Sequence, residues 1–295
     1  MDPYGAQRAM EAPIDHRPIA VFDSGVGGLT VVRELRQRLP HHHLVYFGDT
    51  ARVPYGTKSV ETVTRFTSEI VRFLLRFEPS CIVAACNTAS AVAAATVAHE
   101  LEVPLISVVE PGARDAAQAA GDGDVVAVIA TTATIASSAY RNALNRLNPR
   151  LVVVQKACPL FVPLVEEGRS ERDRLVRLAV ADYLEPVRRL RPTVVILGCT
   201  HYPLLRAAIQ DFLGEDTFLI DSATSTARYV AHLSGSSPAL SRCHDPGRLL
   251  CYVSDNPQQF QSIGSRILGE PINDVVRVCP EEFAPAPLRP ARVTA

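Results

Sequence analysis

Short runs of branched apolar residues recur along this chain, and between them lie stretches whose apolar positions repeat every three or four residues. The runs fall at residues 19–22, 44–47, 81–85, 105–109, 125–129, 151–154, 194–197, 218–220 and 249–253. Helical spacing is clearest at 59–77, 174–190 and 202–213. A strand that is apolar at every position has to be covered on both faces, and helices alternating with such strands supply that cover. The expected class is therefore α/β, with parallel sheets of flavodoxin-like character.

The order of these pieces repeats. "IAVFDSGVGG" (residues 19–28) and "VVAVIATTAT" (125–134) each end a run in small polar residues, and "CIVAACNTAS" (81–90) and "VVILGCTHYP" (194–203) each end one in Cys followed by polar residues. Asp23 stands about as far before Cys86 as Thr131 does before Cys199. Two similar units facing each other would bring two thiols to one cleft, with a pseudo-two-fold relation between the sheets. A chain of 295 residues is the right size for about two domains.

Composition removes several other classes. With 47% hydrophobic and 21% charged residues and a net charge of −1, nothing suggests disorder or a nucleic-acid partner, which would need clustered Lys and Arg. No apolar run approaches the roughly 18 residues of a membrane span, and the first residues lack the apolar core of a signal peptide, so a cytoplasmic protein is expected. Seven cysteines without a Cys-x-x-Cys pair argue against a disulfide framework and against a zinc site. No metal site is expected.

In open parallel sheets ligands bind beyond the carboxyl ends of the strands. Asp23, Ser24, Gly48, Asp49, Cys86, Asn87, Glu110, Thr131, Cys199, Thr200, His201 and Asp221 all fall at or just past such ends. Helix-like sequence follows Asp23, Cys86 and Cys199 directly, so unpaired N–H groups and the helix dipole are expected to lower the pKa of each thiol. The loop "DSGVGG" does not match a dinucleotide fingerprint, because Thr30 occupies the third glycine position and Asp23 would repel a pyrophosphate. Its glycines are expected to let backbone N–H groups approach a small ligand, with Asp23 and Ser24 suited to an ammonium group. In "CPLFVPLVEEG" (158–168) either Glu166 or Glu167 is available to turn into the cleft.

Five segments in order, "AVFDSGVGGLTV", "YFGDTARVPYG", "AACNTASA", "CPLFVPLVEEG" and "ILGCTHYPLL", resemble those of the glutamate racemases, cofactor-independent enzymes of bacterial peptidoglycan synthesis. The resemblance implies a first domain of residues 16–105 plus 223–280, a second of 106–222, and flexible termini at 1–15 and 281–295. It implies that Cys86 and Cys199 are the paired acid/base groups, with Asp23 assisting near Cys86, and His201 near Cys199. Asn87, Thr88, Thr131, Thr134 and Thr200 would hold carboxylates; Asp23, Ser24, Pro54, Tyr55 and Gly56 would fix the rest of the amino acid. Glu166 matches the family's acidic position better than Glu167. The substrate implied is glutamate, the assembly a homodimer. The alternatives are a racemase for aspartate or another amino acid, and a dithiol redox protein. One departure is Ala130, where the family more often has glycine.

Overall fold

The computed structural model describes residues 17–234 and 246–283. Among the described residues ten parallel strands form two sheets. The first is ordered β10-β9-β2-β1-β3-β4, from β1 (Ile19–Asp23), β2 (Leu44–Gly48), β3 (Cys81–Ala84), β4 (Leu105–Ser107), β9 (Leu249–Val253) and β10 (Val275–Arg277). The second is ordered β6-β5-β7-β8, from β5 (Val125–Ala130), β6 (Val152–Ala157), β7 (Val194–Gly198) and β8 (Phe218–Asp221).

Side chains alternate across each sheet, as the period of a strand requires. In the first sheet Ile19, Val21, Tyr46 and Val83 enter one core while Ala20, Phe22, Phe47 and Ile82 enter the other. In the second, Val126, Val128 and Ile196 enter one and Ala127, Ile129 and Leu197 the other. Each fully buried Val, Ile, Leu or Phe contributes roughly 1.5–3 kcal/mol of transfer free energy, so four such layers supply the main driving force. Helices start where side chains satisfy free N–H groups: Ser59 accepts from Thr62 N at 3.2 Å to open Val60–Leu74, and Asp173 accepts from Leu175 N at 2.7 Å to open Arg174–Arg189.

The repeat read in the sequence has a topological counterpart. Within each sheet the unit's own strands run second, first, third, fourth: β2-β1-β3-β4 and β6-β5-β7-β8. Cys86 follows β3 and Cys199 follows β7, the third strand of each unit.

Three details differ from the sequence reading. The division expected between residues 105 and 106 falls inside β4, which pairs with β3 through Leu105, Ile106 and Ser107, so the first sheet continues to Ser107. The first residues of the tail expected to be loose from residue 281 are ordered: the helix Pro280–Phe283 carries a buried Phe283 whose ring lies 5.2 Å from Phe47. Residues 1–15 and 284–295 lie outside the described residues. Strand β10 was not foreseen, since its three residues are mostly exposed and form no apolar run. Among the described residues no helix is long and apolar enough to cross a membrane.

Candidate active site

A cavity of about 340 Å³ lies where the carboxyl ends of the two sheets meet. Its walls include Ser24, Pro54, Tyr55, Gly56, Cys86, Asn87 and Thr88 from the first unit, and Thr131, Glu166, Cys199, Thr200 and His201 from the second. Val53, Thr57, Thr132, Pro159, Val162 and Pro163 complete the lining and were not anticipated. A larger depression of about 1030 Å³ sits by Arg36, Arg248, Glu270 and Asp274, at the amino ends of β2 and β9, and holds no thiol.

Both thiols are free and buried, each 5% exposed. Cys86 caps the helix Asn87–Val92, its sulfur accepting from Ala89 N at 3.5 Å and donating to Ser24 Oγ at 3.7 Å. The expectation of a lowered pKa is not met there. Burial, with the nearby Asp23 carboxylate adding to it, pushes the Cys86 thiol up to about 12 against the smaller opposing pull of the Ala89 and Ser24 contacts. At neutral pH Cys86 is therefore held as the thiol.

Cys199 has a different neighbour. Its sulfur is 3.9 Å from His201 Nδ1, and His201 Nε2 is 3.1 Å from Glu166 Oε1. Burial favours neutral imidazole, but the contacts to Cys199 and Glu166 and the charge of Asp23 outweigh it and hold His201 at about 10. His201 thus stands as an imidazolium between the Cys199 sulfur and the Glu166 side chain. Of the adjacent acids, Glu166 is the one that reaches the cleft; Glu167 pairs outward with Arg169 at 2.9 Å.

The raised His201 value links stability to pH. With a folded pKa near 10 against an ordinary 6.5, the imidazolium stabilises the fold fully below pH 6.5, and that contribution is lost as pH rises through 10. The stability lead of the wild type over His201→Asn, measured by urea unfolding, is expected to shrink steadily across that window. A lead that stays constant would show that His201 is neutral in the fold.

Asp23 is fully buried behind the cavity. Its carboxylate accepts from Gly25 N at 3.0 Å and from Thr200 Oγ1 at 3.4 Å, bridging the two units, and burial raises its pKa. Thr88, Thr131 and Thr134 form a cluster of hydroxyls 2.9–3.2 Å apart, so Thr131 joins the site beside Ala130, although Thr134 is buried behind the lining. Tyr55 donates to Asp49 at 2.5 Å, Ser254 donates to Asp49 at 2.8 Å, and Arg52 pairs with both Asp49 and Glu69. Asp49 thus anchors the loop of Pro54, Tyr55 and Gly56 without entering the cavity.

Other strand-end residues have structural partners. Glu110 is exposed and bonded to Arg146, while Asp221 accepts from Thr224 N at 2.8 Å and pairs with Arg206. The glycine loop also differs in purpose. A Cβ on Gly27 would meet Thr200 Oγ1 and lie 2.5 Å from His201 Nδ1, so this glycine admits the opposite unit, not a ligand.

The sequence pattern of the Asp/Glu/Hydantoin racemases matches residues 29–230. The chain belongs to this family. Among its relatives, the glutamate racemase of Geobacter metallireducens is 47% identical over 262 residues, covering 89% of this chain and 96% of that one. A crystal structure of the Francisella tularensis glutamate racemase in complex with D-glutamate is similar with a TM-score of 0.83 and 36% identity, covering 91% of this chain and 100% of that one. The Thermus thermophilus glutamate racemase, in complex with β-chloro-D-alanine, has a TM-score of 0.79 and 44% identity, over 90% and 98% of the two chains. An aspartate racemase from Picrophilus torridus shares the fold alone, at 16% identity and a TM-score of 0.52.

Proposed function

We propose that this protein interconverts L- and D-glutamate by proton exchange at the α-carbon between Cys86 and Cys199, without a cofactor, supplying D-glutamate for peptidoglycan. The observation that carries the reading is a pair of free thiols, each following the third strand of its own unit, in the wall of one cavity. The glutamate racemases similar over most of the chain support the substrate.

For L-glutamate, the Cys199 thiolate removes the α-proton and the Cys86 thiol delivers its proton to the opposite face. The product is D-glutamate, with Cys86 left as thiolate and Cys199 as thiol, ready for the reverse reaction. A Cys86 thiol facing the Cys199–His201–Glu166 chain is the arrangement that L-glutamate requires. Entry of the substrate ammonium beside Ser24, in front of Asp23, favours a Cys86 thiolate, as D-glutamate requires. Charge that develops on the α-carboxylate is met by N–H groups of the turns after Cys86 and Cys199 and by the Thr200 side chain. The hydroxyls of Thr88 and Thr131, backed by Thr134, suit the distal carboxylate, and the Tyr55 loop lines the cavity with them.

The dithiol alternative has less support, because Cys86 is bonded to Ser24 and Cys199 faces His201. The family resemblance also favours a homodimer working in the cytoplasm. Incubation of the purified protein with L-glutamate alone is expected to take the circular dichroism of the amino acid to zero. Unchanged glutamate would overturn the reading, and loss of aspartate signal in its place would overturn the substrate assignment.

A further inference from the structure

The amide of Asn87, the residue directly after Cys86, is bonded away from bulk solvent to two partners. Its Nδ2 donates to Tyr140 Oη at 2.7 Å and to Ser222 Oγ at 3.2 Å, and Asn87, Tyr140 and Ser222 are each at most 2% exposed. Both amide hydrogens are used, so the side-chain orientation of Asn87 is set by residues outside the cavity lining.

Tyr140 also touches the other thiol turn. A Cβ placed on Gly198, the residue before Cys199, would lie 3.2 Å from Tyr140 Cε2, so the ring rests against the end of β7. On its other edge a Cβ on Gly112 would lie 3.5 Å from Cε1. Gly112 belongs to the helix Val109–Ala119, where the chain leaves the first sheet, and Ser222 opens the helix Ser222–Ser234, where it leaves the second. One buried side chain therefore contacts both thiol turns and both crossings between the units.

The geometry points to Tyr140 as a positioning residue for racemisation: its hydroxyl, with that of Ser222, holds Asn87 and hence the Cys86 turn in register with Cys199 across the cleft. This rests on the two-thiol reading above. Two acid/base groups that must act on opposite faces of one carbon need a fixed separation, and a strut joining their turns provides it. Tyr140 acts through Asn87 and Gly198 and is not a catalytic residue.

Tyr140→Phe removes one oxygen and leaves the ring on Gly198 and Gly112. The variant is expected to lose about tenfold in kcat in both directions with KM changed less than about twofold, since the defect lies in register more than in substrate contacts. Ser222→Ala, which removes the weaker acceptor, is expected to lose about threefold in kcat. A purely structural role would lower the melting temperature and leave kcat of the folded protein intact. Folded Tyr140→Phe with wild-type kcat overturns the inference, and if that variant does not fold, Ser222→Ala with wild-type kcat does so. Wild-type turnover measured alongside keeps the two readings apart: a wild type that fails to racemise glutamate overturns the function and this inference together, whereas an active wild type with an unimpaired variant overturns this inference alone.

Discussion

Cys86→Ala and Cys199→Ala are each expected to reduce glutamate racemisation by at least about a thousandfold, within the range that removal of an acid/base group produces. Inversion needs a base on one face of the α-carbon and an acid on the other, so loss of either thiol stops turnover in both directions. The two enantiomers have equal free energy, which forces kcat/KM for the two directions to be equal in every variant. Asymmetry between the thiols is therefore visible only in kcat and KM taken separately. Both cysteines are small and 5% exposed, and alanine fills most of the same space, so each variant is expected to remain folded. Racemisation within tenfold of wild type in either folded variant would remove that thiol from the mechanism.

Gly27→Ala is expected to lower kcat/KM by about a hundredfold, the effect of a shift of roughly 1 Å in a reacting group. The added methyl would sit 2.5 Å from both His201 Nδ1 and Cε1, well inside the roughly 3.5–4 Å of ordinary contact. The backbone of Gly27 lies outside the left-handed region, so the loss would come from displacing the loop of Thr200 and His201. Gly25→Ala is the control. There the methyl would meet Val53 at 3.5 Å and Glu166 at 4.0 Å, ordinary distances, and kcat/KM is expected to fall far less. Steady-state rates of the two variants decide it: equal losses would mean that the loop responds to any added bulk.

The positions of Cys86 and Cys199 were legible because a buried parallel strand writes an unbroken apolar run, and the residue that ends the run sits at the ligand end of the sheet. The repeat was legible for the same reason. Protonation was not. Helix-like sequence after Cys86 suggested a lowered thiol, whereas the burial that reverses the shift depends on how closely Asp23 and the opposite unit approach. The choice of Glu166 over Glu167 depends on the phase of the short helix Phe161–Glu166, which no periodicity over six residues fixes. Val162 and Pro159 read as core or turn residues until the second unit faces the first. Tyr140 lies in a helix distant in sequence from both thiols, and only the closed arrangement of the two units brings it to Asn87.

The central claim, two thiols acting from opposite faces, is tested most directly by the early time course of racemisation in deuterated water. Starting from unlabelled L-glutamate, the account predicts that newly formed D-glutamate carries deuterium at the α-carbon while unreacted L-glutamate carries almost none, because the donor thiol exchanges with solvent and the acceptor thiol takes up only protium. D-glutamate that retains the original α-proton, or deuterium entering L-glutamate as fast as D-glutamate appears, would show a single base serving both faces and would contradict it.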